Sequence, residues 1–158
     1  MTSTDQRQKI VEAFLQRLAD GGWEALTLAD VAADAGLSPA ELRADYDGRL
    51  AILAEFMRRT DMAVLEAIDP EMAAEPARER LFDVLMRRLD VIAPHKTAVK
   101  KLLLAARRDP ALALALNGLA VTSMRWMMVA AATDRPGLPG SCGRRALPPS
   151  GPAPWKPG

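Results

Sequence analysis

Aromatic side chains are scarce in this chain: three Trp, three Phe and one Tyr, 4% of 158 residues. β-Branched residues are thinly spread as well, whereas Leu and Ala dominate. The chain therefore has little of what a sheet is built from and much of what helices use. A single cysteine, Cys142, excludes an internal disulfide and fits a reducing compartment. A single histidine, His95, leaves no basis for a His-based metal cluster or a Cys–His pair. No phosphate loop, dinucleotide fingerprint or Cys-x-x-Cys occurs. The polar start, Thr2 to Gln6, lacks an apolar signal core. The carboxylates are scattered, so no enzyme, cofactor or metal is expected.

Net charge is +1, which names no partner, but its distribution is uneven. Residues 1–47 carry −5, with Arg7, Lys9, Arg17 and Arg43 against nine carboxylates; residues 48–134 carry +2 and residues 135–158 carry +4. The longest nearly uncharged run is 111–133, broken by Arg125. A charge deep in a membrane span costs about 2.5–3.5 kcal/mol on insertion scales. Asn117, Gly118, Thr122 and Ser123 add further polarity, so this run is expected to be a buried helix of a cytoplasmic protein.

Helical periodicity and punctuation divide the chain into one all-α domain with a distinct head. Ile10, Val11, Phe14, Leu15 and Leu18 predict a helix over 5–19, ended by Gly21 and Gly22. Thr27 caps a short helix that stops at Gly36. Ser38, with Pro39 at the first position and Glu41 three residues on, starts another. Together these are a helix-turn-helix. A long helix over 48–67 follows, with Leu50, Leu53, Met57, Val64 and Ile68 expected inward. Residues 76–92 form the next, with Leu81, Phe82, Leu85, Met86, Leu89 and Ile92 inward. A basic helix at 96–108 and an apolar one at 111–133 complete the set. The expected division is a head at 1–47, a helical ligand and dimerisation domain at 48–134, and a disordered tail at 135–158. Half of the 24 tail residues are Pro or Gly, too little apolar surface to offset ordering entropy. The tail resembles a GC-rich gene translated in a shifted frame, the original frame ending near Pro139 or Gly140. Such a product is a truncated form.

Residues Gly22, Thr27, Val31, Ala32, Ala35, Gly36, Leu37, Ser38, Leu42, Tyr46, Arg49 and Leu53 keep an ungapped spacing that resembles the N-terminal head of TetR-family bacterial repressors. The resemblance implies a three-helix DNA-binding head, a connecting helix and a helical ligand domain. As a DNA-binding regulator, the chain would use Thr27, Ser38, Arg43, Tyr46 and Arg49, with Tyr46 as a core ring and Arg49 reaching phosphate. Ala40, Arg43 and Asp45 depart from the family pattern of Gly, Tyr and His or an aromatic. Residues 27–47 carry Asp30, Asp34, Glu41, Asp45 and Asp47 against Arg43 alone. DNA affinity rests on phosphate neutralisation, so only weak DNA binding is expected, with Arg43 in a local ion pair with Glu41 or Asp47.

The second half, from Arg80 to Lys96, then Arg107-Arg-Asp-Pro and Ser123-Met-Arg-Trp-Met, is similar to the ubiquinone-biosynthesis accessory proteins, which share the TetR fold with a degenerate DNA head. This implies a non-enzymatic protein binding an isoprenoid or quinone-type lipid and assisting a quinone-synthesis enzyme at the membrane. Phe82, Met86, Leu89, Leu103, Met124, Trp126, Met127 and Met128 are the candidate lipid contacts, since Met suits a long flexible ligand. Lys96, Lys100, Arg107 and Arg108 are the candidate membrane-surface groups, for peripheral contact at its inner face. A homodimer is expected of the full-length form.

Overall fold

The computed structural model describes residues 4–132; the expected tail and its frame shift lie outside them. Among the described residues the regular structure is entirely helical. Seven α-helices run in chain order: α1 Thr4–Gly21, α2 Leu28–Asp34, α3 Pro39–Asp45, α4 Arg49–Glu66, α5 Ala77–Ile92, α6 Lys96–Ala106 and α7 Pro110–Ala130. Short 3-10 turns at Pro70–Ala74 and Ala93–His95 join α4 to α5 and α5 to α6.

The boundaries follow the local chemistry. The Thr27 hydroxyl accepts from the Asp30 N–H and caps α2. Ser38 and Glu41 form a reciprocal capping box at the start of α3, with Pro39 in the first turn. Between them the chain closes a Schellman turn: the Gly36 N–H donates to Ala33 O and the Leu37 N–H to Ala32 O. Gly36 sits at φ +72°, a conformation that costs a side chain about 1–2 kcal/mol. Asp109 caps α7 by accepting from the Ala111 and Leu112 N–H groups.

Two hydrophobic clusters hold the helices together. The larger joins Ile10, Phe14 and Leu18 of α1 to Val31, Leu42 and Tyr46, and also to Ile52 and Leu53 of α4, Leu102 of α6 and Leu112 of α7. Packing thus continues past residue 47 into α4, α6 and α7. The smaller cluster contains Val64, Val84, Met127, Ala130 and Ala131.

Three expected faces are corrected. Leu50 of α4 and Ile68 just beyond its end are exposed, and the buried set of α4 is Ile52, Leu53, Phe56, Thr60, Asp61 and Val64. On α5, Phe82, Met86 and Leu89 are exposed, while Val84 and Arg88 are buried. Arg88 goes inward because Asp61 waits there, a partner invisible to local periodicity. α7 is the most apolar helix, and by length and composition it could cross a membrane. It was expected to be buried, yet only Leu112, Ser123, Met127 and Ala130 are.

Leu42 is 3% exposed at the centre of the head. Leu42→Ala is expected to cost about 2–5 kcal/mol, read from denaturant melts.

Candidate functional site

The turn between α2 and α3 positions a small open face. Ala40, Glu41, Arg43 and Ala44 of α3 are exposed, while Leu42 and Tyr46 anchor the helix inward. Arg43 donates from Nη1 to Asp47 at 2.6 Å, and both side chains stand well out in solvent. The expected local ion pair is therefore present, with Asp47 as the partner.

The acidic groups of the head are mostly engaged at short range. Arg17 of α1 grips Asp34 through Nε at 2.5 Å and Nη2 at 2.8 Å. This hydrogen bond holds the Asp34 carboxyl below its ordinary range and raises the Arg17 guanidinium. Glu41 accepts from the Ser38 backbone N–H and its hydroxyl, both at 2.8 Å, and those bonds lower its pKa. Asp30 accepts from the Thr27 hydroxyl at 2.7 Å. Asp45, one of the carboxylates counted against DNA binding, is half-buried, and its Oδ2 is shielded from solvent with no hydrogen-bond partner among the described residues. The Tyr46 hydroxyl is likewise buried and unpartnered, and burial pushes its pKa up.

Arg49 does not reach outward as expected. Its Nη1 donates to Trp23 O at 2.7 Å and to Leu26 O at 3.4 Å, and its guanidinium lies 4.4 Å from the centre of the Trp23 ring. Trp23 in turn meets Phe14 edge-on, with centroids 6.4 Å apart. Arg49 therefore fastens the start of α4 to the turn after α1. Carbonyl acceptors plus an aromatic face satisfy a guanidinium well.

Beneath the head lies a cavity of about 580 Å³, within the usual range for small-molecule sites. Leu15 and Leu18 of α1, Leu53, Phe56 and Met57 of α4, and Ile92 of α5 form one side. Val99, Leu102 and Leu103 of α6, with Ala113 and Leu116 of α7, form the other. The polar lining is Thr60, Arg88, Arg107 and Asn117. A second, smaller cavity of about 470 Å³ is bounded by Met57, Asp61, Leu65, Leu119, Ser123 and Trp126, among others. Between the two sits a buried polar trio. Arg88 Nη1 donates to Asp61 Oδ1 at 2.5 Å, and the Ser123 hydroxyl donates to the same oxygen.

Of the expected lipid contacts, only Leu103 lines the larger cavity, and Trp126 lines the smaller. Phe82, Met86, Leu89, Met124 and Met128 are exposed on the outer faces of α5 and α7. Met127 is fully buried in the smaller hydrophobic cluster. Most cavity residues escaped sequence reading because each of five helices contributes only a few of them, at positions that also look like ordinary core. Lys96, Lys100, Arg107 and Arg108 are all exposed, and Arg107 also borders the larger cavity. Lys101, beside them, instead donates to Asp20 O at 2.6 Å and ties α6 to the end of α1.

Two outcomes follow from this geometry. Asp61→Ala leaves Arg88 buried without its carboxylate and is expected to cost about 3–5 kcal/mol. Replacing both together (Asp61→Leu with Arg88→Met) is expected to recover most of that loss in the same denaturant melts. Glu41 has a lowered pKa in the folded chain, so its contribution is present above the ordinary carboxylate range. That contribution is lost as pH falls through the folded value. Glu41→Gln is therefore expected to destabilise at neutral pH, with the difference from the unsubstituted protein shrinking as melts are taken into acid.

No family model and no curated protein matches the chain. Among solved structures, a protein of Streptomyces coelicolor A3(2), whose own assignment as a transcriptional regulator is provisional, is similar to it. That similarity has a TM-score of 0.54 at 21% identity, over 80% of this chain and 73% of that one. At that identity the likeness speaks for the fold alone. The chain accordingly has a TetR-like all-α fold, a helix-turn-helix head carried on α1 and continued by α4 into a helical body.

Proposed function

We propose that this chain is a helix-turn-helix DNA-binding regulator whose DNA affinity is set by a small, largely apolar ligand held in the larger cavity. The observation that carries the reading is the α2–turn–α3 unit, which presents Ala40, Arg43 and Ala44 on one open face. Short side chains allow close approach to base pairs. An alanine methyl packs on the thymine methyl, and an arginine spans guanine O6 and N7. The Arg43–Asp47 pair is solvent-exposed, so exchanging Asp47 for a guanine edge costs little.

Thr27, Ser38 and Tyr46 hold the two helices in place, and Arg49 ties the turn before α2 to the start of α4. These four act on DNA by positioning Arg43 rather than by touching it. The regulator likeness of the solved structure supports this reading over the quinone-accessory one. The isoprenoid or quinone-type ligand of that other reading would still need the same cavity. A regulator of this kind works in the cytoplasm and pairs two heads about 34–36 Å apart, one DNA turn. A second copy of the chain is accordingly part of the proposal.

Three of the five carboxylates in residues 27–47, Asp30, Glu41 and Asp45, are in no ion pair among the described residues. They lower non-specific affinity, so base contacts must supply most of the discrimination. The test is selection from a random-sequence duplex pool near physiological salt, followed by binding titrations on the enriched sequence. The expected result is an inverted repeat whose affinity falls roughly tenfold or more with Arg43→Ala, about 1–3 kcal/mol. Absence of any enriched sequence, with Arg43→Ala indistinguishable from the unsubstituted protein, would overturn the reading.

A further inference from the structure

We propose that the larger cavity takes an amphiphile with an anionic carboxylate head, the head at Arg88 and the chain against α1, α4 and α6. The proposal rests on the ligand-responsive reading above and names the class of ligand. Among the described residues the charged groups on the lining are both cationic, Arg88 and Arg107, with no Asp or Glu beside them on the wall. The rest of the lining is apolar apart from Thr60 and Asn117. The Thr60 hydroxyl already donates to Phe56 O at 3.0 Å. Donors to a ligand headgroup therefore come from the two guanidiniums and the Asn117 amide.

Arg88 is the sharper of the two cations. It is 8% exposed, comes from α5, and borders the cavity from within. One of its nitrogens, Nη1, is bonded to Asp61. A guanidinium carries five N–H donors in a planar fork, so the bond to Asp61 leaves most of them for a second acceptor. Asp61 is itself divided, because its Oδ1 also accepts from Ser123. Arg107, exposed at the end of α6, adds a second positive charge at the cavity and is in no ion pair among the described residues. A carboxylate fits this donor geometry in two-pronged fashion. An ammonium head would be repelled, and a neutral alcohol would leave the buried donors underused.

The test is calorimetric titration of the full chain with decanoate, decanol and decyltrimethylammonium, which share one apolar chain and differ in head charge. Decanoate is expected to bind roughly tenfold or more tightly than decanol, as hydrogen bonds to charged groups imply, and the ammonium is expected not to bind. Arg88→Met made together with Asp61→Leu keeps the site free of a buried lone charge. It is expected to abolish the preference for decanoate while leaving decanol binding intact. If that variant does not fold, Arg107→Gln carries the test, and is expected to weaken decanoate severalfold and decanol not at all. Equal binding of decanoate and decanol would assign the cavity to neutral lipids and overturn the proposal. Binding of neither would overturn it too, and so would a decanoate preference that survives loss of these arginines. DNA selection is measured without any of these ligands, so failure of the carboxylate assignment and failure of the regulator reading are separately visible.

Discussion

The first helix carries two obligations at once, and the rest of the fold is arranged around them. Ile10, Phe14 and Leu18 are essentially free of solvent contact. One side of α1 receives the small helices of the head; another packs on α6 and α4. A helix sandwiched in this way cannot rotate or translate for one set of neighbours without disturbing the other. Two polar ties reinforce the arrangement. Lys101 reaches from α6 to the carbonyl of Asp20, and Arg49 reaches from α4 to the carbonyls of Trp23 and Leu26. One tie ends on the last turn of α1 and the other on the residues just after it, so head and body share one corner.

Short-range signals were legible in the sequence and long-range pairings were not. Thr27, Ser38 with Glu41, and Pro39 all act within three residues of themselves, and the structure shows each at the helix start it announces. The Arg43–Asp47 pair lies four residues apart and was likewise visible. On α5 the apolar periodicity was right for Leu81 and Leu85, which pack against the smaller cluster, and wrong for Phe82, Met86 and Leu89, which are exposed. The deciding partner of Arg88 is Asp61, 27 residues away on another helix. The sequence pointed Arg49 at DNA phosphate because its actual acceptors are backbone carbonyls, which carry no mark in the sequence. The cavity was illegible for a related reason: each helix lends it only a few positions, and those positions also look like ordinary core.

Net charge and local charge tell different stories about the head. Counting residues predicts a face hostile to DNA, and the count is unchanged by folding. What folding adds is direction. Asp34 is turned toward Arg17, Glu41 toward its own helix start, and one oxygen of Asp45 is turned out of solvent. The potential at a distance remains acidic, which slows encounter with a polyanion. The contact surface at Ala40, Arg43 and Ala44 is far less so. On the proposed reading, such a head samples DNA rarely and holds it only where the bases fit.

The trio of Asp61, Arg88 and Ser123 lies at a level where α4, α5 and α7 pass one another, between the two hydrophobic clusters. Greasy surfaces alone tolerate sliding, since one leucine can replace another along a groove. A shared carboxylate oxygen does not. Advancing α7 along α4 by one helical turn, about 5.4 Å, carries the Ser123 hydroxyl away from Asp61 and offers it no equivalent acceptor. The trio therefore acts as a detent on the axial position of three helices. Movement of the body against α4 proceeds as a jump between seated positions, not as a glide.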